Sequence, residues 1–469
     1  MRVLLINPDN PVVSLTKTSL TNKLNRYRIW KPLGLHTIAA VTPDRWQVEI
    51  ADENLGPIDY DNLPRPDLIG ITAFTSQATR AYQLATRFRE QGITVVMGGI
   101  HASMCPQEAL SYCDAIVTGE AEQAWPQLLE DFERGAVKRL YEGGLVPEAT
   151  IPIARHDLTK GRYHFGSVQT VRGCPLRCTF CSVTAFNGGK FRHRPLETVI
   201  AELHQIPEKL VLFVDDNLIG TRRDHIDYSK ALFRRMIEEK IEKKWICQAT
   251  INFADDDELL TLARQAGCVS VFIGFEATTE EGLVAVHKKF NIQNGRDFRA
   301  SVRNIQKHGI VVVGSFIMGI DTDKPGIGLV LDDAARRYGV DMANVLMLTP
   351  LPGTELWREM LAAGRIAADN FPEDWQYYTL CHPVANYKQF TWTELVDEMN
   401  QFNDSFYSYR SILERALRVV KYNLRSPLRM LFGVVGNLTY RYNQLNDRRI
   451  YQTREESTAA GAVLATPQP

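Results

Sequence analysis

The stretch VRGCPLRCTFCSV, residues 171–183, puts Cys174, Cys178 and Cys181 within eight positions of a chain that has eight cysteines in all. The apolar run near the N-terminus, VLLI at 3–6, is too short for a signal-peptide core. No apolar stretch of about 18 residues, enough to span a bilayer, occurs anywhere in the chain. The expected address is therefore cytoplasmic, where thiols stay reduced. Clustered cysteines there point to metal or redox chemistry rather than a disulfide frame. Four cysteines would close a zinc or iron–sulfur site, whereas three leave one metal position open to a substrate. Gly173 and Pro175 help the chain turn, and spacings of three and two residues let one loop wrap a cubane. A chance cluster, or a zinc site completed by His193, is the alternative.

The surroundings of this loop are strand–helix repeats. With 469 residues, two to three domains are expected. Apolar residues at 45% and charged residues at 23% describe an ordinary globular protein. The net charge of −1 argues against a nucleic-acid binder. In 1–135, the runs VLLIN, QVEIA, DLIGITA, ITVVMGG and AIVTG alternate with helical patterns at 78–91 and 122–135. Continuous apolar strands separated by helices predict a doubly wound parallel sheet, with its ligand site beyond the strand carboxyl ends. Residues 136–166, rich in Gly and Pro, read as a linker. Residues 167–350 hold six further strand candidates, from VQTVR at 168–172 to ANVLML at 343–348. They fit a partial (β/α)6 barrel whose functional residues lie at strand carboxyl ends. Residues 351–452 read as a mostly helical region and 453–469 as a disordered tail.

The C-x3-C-x2-C loop, with Phe180 before its last cysteine and β/α repeats after it, resembles the signature of the radical S-adenosylmethionine (SAM) superfamily. The resemblance implies that Cys174, Cys178 and Cys181 ligate a [4Fe–4S] cluster and that SAM chelates the fourth iron. It further implies Phe180 near the adenine, Asp215 and Asp216 of VDDN near the methionine amino group, and Glu276 of GFE near the ribose. Gly314 and Phe316 of GSFIMG lie where the fifth strand passes the adenine. Arg192 and Arg194 are candidates for a place near the cluster.

MGGIHASMCPQEAL followed by IVTGEAE resembles the cobalamin-binding domain that precedes some radical SAM barrels. Here the candidates are Thr72, Thr75 and Ser76 after the third strand, Gly98 and Gly99, His101, and Gly119 with Glu120. The glycines, lacking Cβ, would let backbone approach a large planar ligand. The D-x-H-x-x-G cobalt-ligand motif of many cobalamin domains has no counterpart, since the chain contains no D-x-H. The whole pattern resembles the group that includes hopanoid methylases and the anaerobic cyclase of bacteriochlorophyll synthesis. That implies a cobalamin-dependent methyltransferase acting on an unactivated carbon of an apolar small molecule, either lipid-, isoprenoid- or pigment-like or a natural product. A flavodoxin- or ferredoxin-type one-electron reductant would drive it. A non-methylating radical cyclase or rearrangement enzyme and a non-catalytic cobalamin or Fe–S sensor are the rivals. A methylthiotransferase would want a second cysteine triplet, and the first domain has only Cys105 and Cys113.

Residues 410–449 carry nine Arg/Lys against Glu414 and Asp447. Ile412, Leu413, Leu417, Val420 and Leu424 fall roughly on one helical face, an arrangement that suits either a helix packed on the barrel or peripheral membrane contact.

Overall fold

The computed structural model describes residues 1–10, 12, 31–161, 163–423, 429–443, 448 and 451. The proposed tail at 453–469 and Leu424 lie outside them. The first sheet comprises β1 (Arg2–Asn7), β2 (Gln47–Asp52), β3 (Leu68–Thr72), β4 (Thr94–Gly98), β5 (Ala115–Thr118) and β6 (Leu140–Glu142). Its order is β2-β1-β3-β4-β5-β6, parallel throughout. Apolar side chains on both faces explain the unbroken hydrophobic runs. One face packs Leu4, Ile69 and Val95 under helix Ala78–Glu90, and the other packs Leu5, Leu68 and Val96 under Trp125 and Leu128. The expected linker therefore begins later than 136, because β6 pairs with β5 and closes the sheet edge.

The second unit is also a six-stranded parallel sheet. Its strands are β7 (Gly166–Val168), β10 (Leu210–Phe213), β11 (Lys244–Ala249), β12 (Cys268–Glu276), β13 (Val311–Met318) and β14 (Met342–Met347). They lie in sequence order across the sheet, the arrangement of a partial barrel. The expected strand 168–172 is instead split. β7 ends at Val168, and β8 (Val171–Arg172) turns away to pair antiparallel with β9 (Arg192–His193). This small ribbon frames the cysteine loop.

The C-terminal region does more than add helices to the barrel. Ala368, Trp375, Tyr378 and Val384 join the first domain's core beside Ile71, Ala78 and Tyr82. Thr79 Oγ1 donates to the Pro372 carbonyl at 2.7 Å, and Trp375 Nε1 to Glu108 at 2.8 Å. Trp375 is 2% exposed, so truncating it to Ala would cost about 3–5 kcal/mol. Residues 366–384 thus strap the barrel's C-terminal extension onto the first domain.

Candidate active site

The cysteines occupy the loop between β8 and helix Ser182–Asn187. Gly173 opens it at φ +83°, and a Cβ there would stand 2.2 Å from the Lys190 carbonyl oxygen, so only glycine fits. The loop is pinned from several sides. Thr184 Oγ1 donates to Leu176 O at 3.0 Å, Cys181 N–H to Cys178 O at 3.1 Å, and Leu356 N–H to Thr179 O at 2.9 Å. All three thiols are free and half-buried. Burial raises each one, Cys178 to about 11 and Cys181 to about 12, against the opposing pull of the Lys288 charge. Such thiols ionise when a strongly electrophilic metal group binds them. Among the described residues, no three Cys, His, Asp or Glu side chains meet around a single ion. His193 stacks on Tyr228 with ring centroids 4.3 Å apart. Three fixed thiols on one loop fit a multi-iron cluster with one iron left free of protein.

The carboxylates divide into two kinds. Asp215 is fully buried, and its Oδ1 accepts the backbone N–H of Thr170 at 2.6 Å and of Val171 at 2.5 Å. Burial pushes it up to about 7 although these bonds act downward. Both oxygens are committed, since Oδ2 accepts Thr170 Oγ1 at 3.2 Å. Asp215 therefore braces the strand that leads into the cysteines, and the expected methionine contact does not fall to it. Asp216 accepts from Gly173 N–H at 3.2 Å and Asn187 Nδ2 at 3.0 Å, at the mouth of the loop. Its neighbour Asn217 is buried, with its side chain against the Cys174 thiol and its Oδ1 accepting the Thr250 N–H at 3.2 Å.

Glu276 ends β12 at φ +65°, where the register against β13 shifts. A left-handed non-glycine residue costs of order 1–3 kcal/mol, and such strain gathers at functional sites. Its carboxylate meets Lys288 Nζ at 3.1 Å, and both groups are buried. Phe180 is half-buried against the barrel core. The structure corrects the expectation for Gly314 and Phe316. Phe316 stacks on Phe275 and faces Tyr338, and a Cβ on Gly314 would meet Val340, so both point into the helix layer. Alternation turns Ser315 and Ile317 to the other face. Arg192 and Arg194 are also structural: Arg194 pairs with Glu202 at 2.7 Å, and Arg192 with Glu120.

In the first domain, the loops 72–77, 98–101 and 118–120 all lie at the strand carboxyl ends. Thr75 and Ser76 are buried in a short 3-10 turn, while Thr72 is half-buried. Phe74 beside them is 63% exposed, an apolar ring that sequence reading passed over. Gly99 has φ +82°, and its Cβ would stand 2.5 Å from Thr72 Oγ1; Gly119, at φ +69°, abuts the Gly144 carbonyl. These glycines admit neighbouring protein backbone and side chains closely, and Gly98 has ordinary room against Val117. His101 is a correction. It is fully buried, with Nε2 2.9 Å from the Tyr82 hydroxyl and its ring edge-on to Trp375. Glu120 is another. It is buried, accepts Val146 N–H at 2.9 Å, and pairs with Arg192 and, at 3.1 Å, with Arg172. Arg172 also reaches Glu122 at 2.5 Å. This network joins the first domain to the β8–β9 ribbon. Helix Ser182–Asn187, directly after Cys181, packs on helix Gly99–Met104. The cysteine loop thus lies near the carboxyl-end edge of the first sheet, the edge at which Phe74 is exposed.

The fold and this pairing define a two-domain enzyme class. Residues 21–129 match the B12 binding domain and residues 168–326 the Radical SAM superfamily. The chain belongs to the B12-binding radical SAM enzymes, a family that includes cobalamin-dependent methyltransferases. It is 30% identical to an uncharacterized methyltransferase, sll1242, of Synechocystis, over 78% of this chain and 69% of that one. It is 29% identical to the hopanoid C-2 methylase of Rhodopseudomonas palustris, over 75% and 68%. It is 28% identical to the bacteriochlorophyllide d C-12(1)-methyltransferase of Chlorobaculum tepidum, over 82% and 84%. The fold is shared with the radical SAM methyltransferase TsrM of Kitasatospora setae, at TM-score 0.65 and 16% identity over 97% and 99%. It is also shared with the cobalamin-dependent SAM radical enzyme OxsB, at 0.64 and 15% over 100% and 82%.

Proposed function

We propose that this chain methylates an unactivated carbon of an apolar small molecule, of the lipid, isoprenoid or pigment kind, using a [4Fe–4S] cluster, SAM and cobalamin. The cluster and cobalamin, when bound, supply the one-electron cleavage of SAM and the carriage of the methyl group. The observation that carries this reading is the three-thiol loop near the carboxyl-end edge of the B12-binding sheet. Cys174, Cys178 and Cys181 hold the cluster, and Asp215 and Asp216 fix the loop from beneath. Glu276, with Lys288 as its buried counter-ion, lies at the carboxyl end of β12, where its oxygens can accept hydroxyl hydrogens of a bound nucleoside. The Glu120–Arg192–Arg172–Glu122 network keeps the two domains in register, so that substrate is oriented between them and water is kept out. The hopanoid and bacteriochlorophyllide relatives support an apolar substrate. Electrons would come from a flavodoxin- or ferredoxin-type donor.

The test is anaerobic incubation of reconstituted protein with cobalamin, SAM and dithionite. Release of 5′-deoxyadenosine together with S-adenosylhomocysteine is expected. Deoxyadenosine without S-adenosylhomocysteine would redirect the reading to a cyclase, since anaerobic magnesium-protoporphyrin IX monomethyl ester cyclases are also similar to this chain, at 25% identity. Neither product would remove catalysis altogether. Replacing the three cysteines with alanine must abolish both products.

A further inference from the structure

The last two described helices turn apolar faces outward. Helix Tyr409–Asn423 and helix 429–443 pack side by side on the edge of the second sheet, with Val419 inside a cluster of Val311, Val313 and Met342 and Phe432 against it. Arg415 ties them together, donating to Asn437 Oδ1 at 2.8 Å and to the Asp341 carbonyl at 3.2 Å. That packing leaves Tyr409, Leu413 and Leu417 exposed on one helix and Leu431, Val435 and Leu438 on the other, each between 41% and 70%. Their spacings put one stripe along each helix. A solvent-facing helix side normally carries charge, yet 430–440 contains no charged residue. Six exposed apolar side chains on adjoining helices are a binding surface rather than scattered exposure.

Beside this face lies a groove of about 370 Å³ lined by Arg336, Ser411, Glu414, Arg415 and Arg418. Its lining sets three guanidiniums against one carboxylate, Glu414, which Arg410 also holds at 3.3 Å; Arg336 is in addition paired with Asp332 at 2.8 Å behind the groove. Arg418 Nε has no hydrogen-bond partner, and the ion pair of Arg418 with Asp341 is long, 3.9 Å. Burial, followed by the like charges of Arg336 and Arg418, pushes Arg415 down to about 10 despite a favourable Tyr407 contribution. An anion in this groove would relieve that repulsion. Arg410 and Lys421 extend the positive charge along the outward side of the first helix.

We propose that this face docks on an anionic lipid bilayer, with the six apolar side chains entering the headgroup boundary and the arginine groove receiving a lipid phosphate. Apolar helix faces flanked by basic residues bind anionic membranes in this way. No helix among the described residues is long and apolar enough to cross a membrane, which fits contact from one side. The surface stands apart from methyl transfer, so its failure would leave the catalytic reading untouched.

The test is co-sedimentation of the full-length chain with vesicles of phosphatidylcholine alone or mixed with phosphatidylglycerol. Binding to the mixed vesicles only is expected, weakened by salt and not displaced by inorganic phosphate. The variant Leu417→Asp/Leu438→Asp should lose binding about tenfold or more, as should Arg336→Gln/Arg418→Gln. Leu417→Asp/Leu438→Asp should keep the wild-type melting temperature, because both side chains are exposed. Arg336→Gln/Arg418→Gln also removes the ion pairs with Asp332 and Asp341 and should melt lower, so its vesicle binding is read well below its own melting temperature. Absence of binding by the wild-type chain, binding indifferent to both variants, or release by inorganic phosphate would overturn the proposal. So would a solution dimer that Leu417→Asp/Leu438→Asp splits while vesicle binding persists, since the face would then join two copies of the chain.

Discussion

Lys288 Nζ lies 3.1 Å from Oε1 of Glu276, and both side chains are buried beside the cysteine loop. Glu276 adopts a left-handed backbone to make this contact, and Gly274 leaves room for it, since a Cβ there would stand 2.2 Å from Glu276 Oε1. Removing one partner of a buried pair strands the other charge. Lys288→Met should therefore destabilise the protein by about 3–5 kcal/mol, and Lys288→Met/Glu276→Gln by clearly less. Denaturant unfolding of the two variants measures the difference. Equal losses would show that the pair is not coupled.

The Glu120 network gives the domain junction a pH dependence. Burial alone would raise this carboxyl, but the hydrogen bond from Arg192 and the charge of Arg172 hold it below the usual carboxylate range. A depressed folded value means that its stabilisation is complete above the unfolded value of about 4.3 and is lost as pH falls through the folded one. The melting temperature of the wild-type chain should fall in acid more steeply than that of Glu120→Gln. Parallel curves would remove Glu120 from the account.

Asp215 behaves in the opposite sense. Its folded value of about 7 exceeds the unfolded one of about 3.9, so the ionised carboxylate is disfavoured in the fold and stability drops as pH rises between them. Asn keeps the acceptor for the Thr170 and Val171 amides without the charge. The stability of Asp215→Asn relative to wild type should climb from pH 4 to 7 and then level off. Asp215→Ala leaves two buried N–H groups unpaired and should cost about 2–6 kcal/mol. Thermal melts across this range decide both points.

Gly173→Ala forces a Cβ towards the Lys190 carbonyl at a left-handed position. Strain of about 1–2 kcal/mol is expected from the backbone alone. The loop should shift, and iron and sulfide content after reconstitution should drop while the far-ultraviolet spectrum is kept. Full iron loading would contradict this.

Much of the fold was legible because parallel strands covered on both faces leave unbroken apolar runs, and most of the strands lie where those runs fall. The same property hid the side-chain phase. In IVVVGSFIMG every position is apolar or small, so nothing in the sequence tells which face Gly314 and Phe316 occupy, and packing against Phe275 and Val340 turned them outward. β6 escaped notice because three residues at a sheet edge, LYE, carry no period. The cysteine loop was legible from its spacing together with Phe180 and the β/α repeats that follow it. Lys288 was not, since a lysine in the run HKK ordinarily faces solvent, and only the turn after β12 returns it to Glu276. His101 and Glu120 sat in the right loops but pointed inward, towards Tyr82 and Arg192, and side-chain direction in a loop is a property of tertiary contact.

The strap formed by residues 366–384 has a consequence for biosynthesis. Tyr82 and its neighbours receive Trp375 only after nearly three hundred further residues have left the ribosome, so during translation the first domain waits with an apolar side uncovered. A chain cut between its two halves would keep that side bare and aggregate. The first domain is closed only when this late segment folds back onto it.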